Sequence, residues 1–348
     1  FAESSSIKEA ISYGVASGDM TVYNKNVNNN SGADEGFTNG SLGVAFQTDS
    51  FHNVNAKVAF RANHEFAEKR EGNYEDEFAN DSLMTEFFLQ YRDVGVRATL
   101  GRQLMDLEWI GDYNEAITIE TKKLIDDIKV TLAYVDRQAE SEEDESTEFL
   151  EKNKDGAYVL DLNYEIEEDE SEISAYYYNM PDLVDFYGIK AKGEFSMFEF
   201  TAHYAASSAD NQSGAENGNI LNLELEHETS NFEFAVGYIK TDKEGGATQM
   251  TTYGDNIDPT EELDESVYAA DSQTVYGKIE YEGSNYEFET VYAQAKHGAA
   301  DNKDKEFTVE LEYAFTDALS AEVVYTTTSM QDSADDKDVT EVSLSYSF

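Results

Sequence analysis

Apolar and polar side chains alternate along most of this chain. Near its end Val342, Leu344, Tyr346 and Phe348 fall on one face of an extended segment, and Glu341, Ser343, Ser345 and Ser347 on the other. A β-strand imposes that period of two on its side chains. The same pattern runs through Tyr158-Leu160-Leu162-Tyr164, Phe198-Phe200-Ala202-Tyr204 and Phe232-Phe234-Val236-Tyr238. It returns in Leu221-Leu223-Leu225, Phe307-Val309-Leu311-Tyr313 and Leu319-Ala321-Val323-Tyr325. No segment carries a 3.6-residue apolar stripe of helical length. The pattern predicts an all-β chain.

Marking every alternating segment gives about eighteen strands, most of about 9–13 residues, a length that crosses a bilayer at a tilt. The first nine lie near 12–24, 37–49, 54–66, 82–92, 95–104, 114–122, 127–137, 156–166 and 169–180. The second nine lie near 182–194, 197–206, 218–228, 231–241, 272–283, 286–297, 305–315, 318–330 and 338–348. After even-numbered strands the links are tight, as in Arg92-Asp93-Val94-Gly95, Glu228-Thr229-Ser230-Asn231 and Phe315-Thr316-Asp317. After most odd-numbered strands they are long and polar, as at 25–36, 67–81, 138–155, 207–217 and 242–271. Tight turns on one side and long loops on the other mark an outer-membrane barrel, with periplasmic turns and extracellular loops. A soluble sandwich has no reason to sort its loops this way. The expectation is one transmembrane antiparallel β-barrel domain over 1–348, with an N-terminal segment at 1–11.

Composition first opposes this picture and then fits it. Among 348 residues, 73 are acidic and 24 basic, for a formal net charge of -49. Such a chain repels a phosphate backbone, so a nucleic-acid partner is excluded. The absence of Cys removes disulfides and thiol chemistry. The 23 Tyr and 20 Phe show that the chain folds, because disordered acidic chains are poor in aromatics. A barrel resolves the conflict: rings on the lipid face, acids in a wet lumen and in outer loops such as 140–151.

The chain opens Phe1-Ala2-Glu3 without a charged or apolar leader, which implies that a signal peptide has been removed. The closing strand, with Tyr346 and Phe348 on one face, is similar to the C-terminal signal read by the barrel assembly machinery of Gram-negative bacteria.

The run Gly101-Arg102-Gln103-Leu104-Met105-Asp106-Leu107-Glu108-Trp109-Ile110-Gly111-Asp112-Tyr113 resembles the OprD-like porins, major outer-membrane proteins of campylobacter-type bacteria. Ile7-Lys8-Glu9-Ala10 leading to Ser12-Tyr13-Gly14 is similar to their first strand. The likeness in words covers roughly the first 140 residues; beyond them it lies in strand architecture. The resemblance implies an eighteen-strand barrel, often a homotrimer, that passes small solutes and ions across the outer membrane. The chain is somewhat short for the family, which implies trimmed loops.

Alternation also assigns faces to the charges. It turns Lys57, Arg61, Arg97, Lys129 and Arg137 inward as a basic strip, while all six Arg lie between positions 61 and 137. The inward acids come later, with Glu199, Glu224, Glu226, Glu310 and Glu312 forming an acidic wall. The inward sum is negative, which predicts a cation preference. The bland alternative is a set of solvated salt bridges of small consequence. Segment 105–113, with Asp106, Glu108, Trp109 and Asp112, is the candidate loop folding into the lumen; the alternative is a rim loop with an interfacial Trp. Arg102 breaks the alternation of its strand, the mark of a bulge.

No cofactor is implied. Acidic loops 140–151, 255–258 and 335–338 offer oxygen ligands for Ca²⁺ or Mg²⁺, or bridges through such ions to lipopolysaccharide, without an EF-hand spacing. Two further function classes remain open beside a diffusion channel. One is a surface structural or adhesive barrel. The other is a barrel enzyme, for which His203 beside Glu199 and Thr201 is the nearest candidate; a lone His at such a position is more often a lumen hydrogen-bonding residue.

Overall fold

The computed structural model describes residues 3–125, 127–166, 171–210, 214–298 and 302–348. Among them, each of eighteen antiparallel strands pairs with the next, and the last pairs with the first. The sheet begins with β1 (Val15–Asn29), β2 (Glu35–Gln47), β3 (Val54–Glu68), β4 (Ser82–Asp93), β5 (Val96–Leu104) and β6 (Tyr113–Ile125). It continues with β7 (Ile128–Ala139), β8 (Ala157–Ile166), β9 (Ser171–Met180), β10 (Val184–Phe195), β11 (Phe198–Ala209) and β12 (Asn219–Thr229). It ends with β13 (Phe232–Thr241), β14 (Gln273–Glu282), β15 (Tyr286–His297), β16 (Asn302–Thr316), β17 (Leu319–Ser329) and β18 (Lys337–Ser347). The seam is sealed where Gly18 and Phe348 exchange backbone hydrogen bonds of 2.9 Å in both directions. Closure removes every sheet edge, the condition for strands to sit in hydrocarbon.

The burial pattern is inverted relative to a soluble protein. Leu89, Leu100, Ile117, Ile189, Phe200, Leu223, Phe234, Leu311 and Leu344 stand exposed on the outer wall, while Thr99, Thr118, Thr131, Asn222 and Thr308 are buried inside. Burying one such apolar side chain is worth about 1.5–3 kcal/mol. A belt of this size left in water would exceed the whole stability of a domain, about 5–15 kcal/mol. The outer wall is a hydrocarbon-facing surface. Tyr346 and Phe348 belong to it, with their rings stacked at 6.3 Å.

One expected strand start moves. The sequence pattern begins the first strand at 12, but Ile7–Ser12 forms a short helix, α1. The reason is local: the Ser6 hydroxyl accepts from Glu9 N–H at 3.2 Å, and the Glu9 carboxylate accepts from Ser5 N–H at 2.7 Å. That is the reciprocal logic of a capping box. The Ser4 hydroxyl donates to Asp49 at 2.6 Å, which ties the segment to the turn between β2 and β3. Two further short helices, α2 (Asn73–Glu77) and α3 (Asp264–Tyr268), sit in long loops.

Candidate functional site

Three long loops turn into the barrel instead of standing outside it. Loop 105–112 contributes Trp109 and Ile110, and loop 242–272 contributes Met250, Tyr253, Leu263 and Val267; all six are fully or almost fully buried. They rest on inward wall positions that are small and apolar, including Ala116, Ala133, Val135, Ala205 and Ala293. The uniformly polar lining expected from alternation is therefore replaced, on this side, by a dry plug. Gly111 N–H donates to the Tyr253 carbonyl at 2.9 Å. The Gln138 amide on β7 donates to both Gly111 and Tyr253 carbonyls, at 2.9 and 2.7 Å. These bonds satisfy loop backbone that would otherwise be stranded in an apolar interior.

From loop 105–112, a polar chain ties the tip to the wall formed by β9–β11. The Trp109 indole N–H donates to Tyr176 Oη on β9 at 2.7 Å, and Tyr176 Oη lies 2.7 Å from His203 Nε2 on β11. An indole only donates, so the tyrosine proton is free to go to Nε2, and the His203 proton sits on Nδ1. Nδ1 faces Glu108 Oε1 at 3.2 Å. Glu108 also takes Lys190 of β10 at 2.9 and 3.1 Å. Burial pushes the Glu108 carboxyl up, and Lys190 opposes that shift. Burial, with Glu140 adding to it, raises Asp112 to about 6. Asp106 instead lines a cavity of about 310 Å³ with Arg97, Glu120 and Lys129. Segment 105–113 is an inward element, and Trp109 is buried rather than interfacial.

The inward basic residues each meet an acid. Lys57 pairs with Glu86. Arg61 forks onto Asp19 at 2.9 and 3.1 Å and donates to Ser41 at 2.7 Å. Arg97 donates to Glu120 at 2.7 Å, and Lys129 lies 3.5 Å from the same carboxylate. This wall is close to neutral.

Arg137 is a correction. Between β6 and β7 the register slips, so that Ala116 faces Val135 but Glu115 faces Arg137. The extra residue, Asp136, is a bulge that moves Arg137 from the inner to the outer face. There it joins Arg102, which stands opposite the exposed Phe87 and pairs with Glu115 at 2.8 Å. Glu151, at 3.3 Å from Arg137, completes this outer cluster.

The opposite wall is left unbalanced. Glu228, Glu233, Glu280, Glu289 and Glu310 stand in register across β12–β16, each directly opposite the next. A second row runs Glu282, Glu287, Glu312 and Glu322 across β14–β17. Glu199 faces Glu226 in the same way, and Glu224 accepts from Tyr276 at 2.5 Å. Among the described residues Lys278 bridges Glu289 at 2.6 Å and Glu280 at 3.2 Å, and Lys190 and Lys192 line one cavity with Glu224, Glu226 and Glu233. Like charges directly opposite are each unfavourable by up to about 1 kcal/mol, so this arrangement is costly to the fold.

Loop 140–156 adds to that side. Asn39 Nδ2 donates to the Glu143 carbonyl at 2.8 Å, turning the acidic run inward. Glu142, Glu143 and Asp144 then share a cavity of about 200 Å³ with Glu261, Glu310, Glu322 and Glu341. Withdrawal from bulk water, reinforced by neighbouring carboxylates, raises Glu142 and Glu261 to about 7. Asp255 and Asp258 cap backbone N–H groups of their own loop, and Asp336 accepts from Met330 N–H at 2.7 Å. Among the described residues no three acidic or His side chains converge as a metal site.

No family model and no curated protein sequence matches the chain. Solved structures do. Pseudomonas aeruginosa OccK8 (OprE) aligns at a TM-score of 0.79 with 12% identity, over 97% of this chain and 99% of that one. Acinetobacter baumannii OccAB1 aligns at 0.79 with 12% identity, over 97% of each. Pseudomonas aeruginosa OpdK, solved with vanillate, aligns at 0.73 with 12% identity, over 96% of this chain and 98% of that one. This chain has the OprD-like barrel fold.

In this OprD-like barrel, several residues that shape the lumen escaped the reading by strand face. Asp19, Glu86 and Glu120 neutralise the basic strip, and Lys190 anchors the inward loop. Glu233 sits between the outward Phe232 and Phe234, and Glu289 follows the outward Phe288, so their parity was available as a signal. The plug residues of 242–272 carried none, because their apolar positions follow no period.

Proposed function

We propose that this chain is an outer-membrane diffusion channel for small hydrophilic solutes and ions, with a preference for cations. The carrying observation is the pair of carboxylate rows on β12–β17, served by Lys278 and set against a wall whose charges pair off. A negative surplus in a narrow, low-dielectric passage concentrates cations and repels anions. The fold shared with OccK8 and OccAB1 supports a channel, and the hydrocarbon-facing belt supports its place in an outer membrane. The family resemblance supports a homotrimer, which cross-linking of the native protein would reveal as a ladder ending at three subunits.

Proteoliposome swelling tests the reading. Vesicles carrying the protein should admit small neutral and cationic solutes readily and equally charged anionic ones of the same size more slowly. Vesicles no leakier than empty ones would defeat the channel claim. Faster anion entry would defeat the charge preference alone.

A further inference from the structure

The outer rim carries a second charged surface, of the opposite sign. Lys240 is the penultimate residue of β13, and Lys303 and Lys305 open β16. Asp304 and Glu306, at 4% and 2% exposure, point inward, which turns Lys303, Lys305 and the following Phe307 outward. Ile239 is fully buried inside, so Lys240 shares the outward face of Tyr238. The register sets Lys240 opposite Gln273, Gln273 opposite Lys296, and Lys296 opposite Lys303. Four lysines thus occupy one patch over four neighbouring strands, in a chain with 24 basic residues and a net charge of -49. The outward positions of β13–β16 carry no Asp or Glu.

We propose that Lys240, Lys296, Lys303 and Lys305 form a docking surface for the phosphates of a phosphorylated acyl glycolipid in the outer leaflet. The patch lies at the long-loop end of the strands, directly above Tyr238, Tyr292 and Phe307, where an apolar wall meets the headgroup layer. Lysines there lay their stems along the wall and hold the ammonium groups at headgroup level. Each acts as a point charge toward phosphate. The inference rests on long loops facing outward, and is independent of what the lumen passes.

The test compares binding of diphosphorylated lipid A and its dephosphorylated form to the purified barrel in detergent, read by native mass spectrometry. Wild type should hold the phosphorylated lipid, and binding should weaken with added NaCl. The Lys240→Gln/Lys303→Gln/Lys305→Gln variant should bind about a hundredfold more weakly, since each lysine near an anionic surface contributes about fivefold. The corresponding triple Arg variant should retain binding, which separates lost charge from lost fold. Equal binding of both lipids, salt-insensitive binding, or an unchanged Gln variant would overturn the proposal. Release by EDTA would also overturn it, by assigning the phosphate to bridging divalent cations. Conductance of the same preparations reports on the channel reading separately.

Discussion

Glu108 holds loop 105–112 to the wall through one charge. Lys190 and His203 both face it, and the neighbouring Trp109 is the single Trp of the chain. Removing one partner of a fully buried ion pair costs about 3–5 kcal/mol; the cost is smaller here, because the Lys190 side chain keeps 19% of its surface. Glu108→Gln should therefore loosen the loop without unfolding the barrel. Because Trp109 is fully buried, acrylamide quenching of its fluorescence should be weak in wild type and rise severalfold in Glu108→Gln. Tyr176→Phe should act alike, leaving a buried indole N–H unpaired at about 1–3 kcal/mol. Wild-type shielding in both variants would contradict the latch. Arg137 makes the second residue-level prediction. Arg137→Gln should leave the reversal potential unchanged, whereas Arg97→Gln should shift it toward greater cation preference. A shift with Arg137→Gln would return that side chain to the lumen.

At the scale of elements, strands and loops obeyed different rules. Strands were legible because lipid outside and polar lumen inside force a period of two, and Phe198-Phe200-Ala202-Tyr204 keeps it without fault. A single inserted residue defeats that reading. Asp136 leaves the neighbouring letters polar on both parities, so nothing in the run 134–139 announced that Arg137 had changed face. The plug was less legible still. Met250, Tyr253, Leu263 and Val267 are spread through a polar segment, and only tertiary contact with Trp109 and the alanine-lined wall gives them a common side. The capping box of α1 was written in Ser6 and Glu9, but its six-residue helix is too short to show a stripe. The acidic loops bring a pH dependence. Glu142 and Glu261 have folded-state values raised to about 7, so they bind protons more tightly in place than in an unfolded loop. Their packing is favoured at low pH and weakens as pH rises through about 7, while their negative charge appears over the same interval. Cation preference should therefore increase between acidic and mildly alkaline pH. Glu142→Gln/Glu261→Gln should flatten that increase, and a profile unchanged by the substitutions would contradict it.

For the whole molecule, the same excess of acid has two addresses. Part of it lines β12–β17 in rows that the fold tolerates at a cost, and part enters on loop 140–156. The basic third of the barrel does not oppose this charge as a field of equal size, because Asp19, Glu86 and Glu120 cancel it locally. An asymmetric lumen was legible from strand faces; the local cancellation depended on which strands adjoin and was not. The most direct measurement is the reversal potential of the reconstituted channel under a KCl gradient at neutral pH. A clear preference for potassium is predicted in wild type, with a shift toward zero in Glu289→Gln/Glu310→Gln/Glu312→Gln. A preference for chloride, or a wild-type value unchanged by those substitutions, would contradict the account.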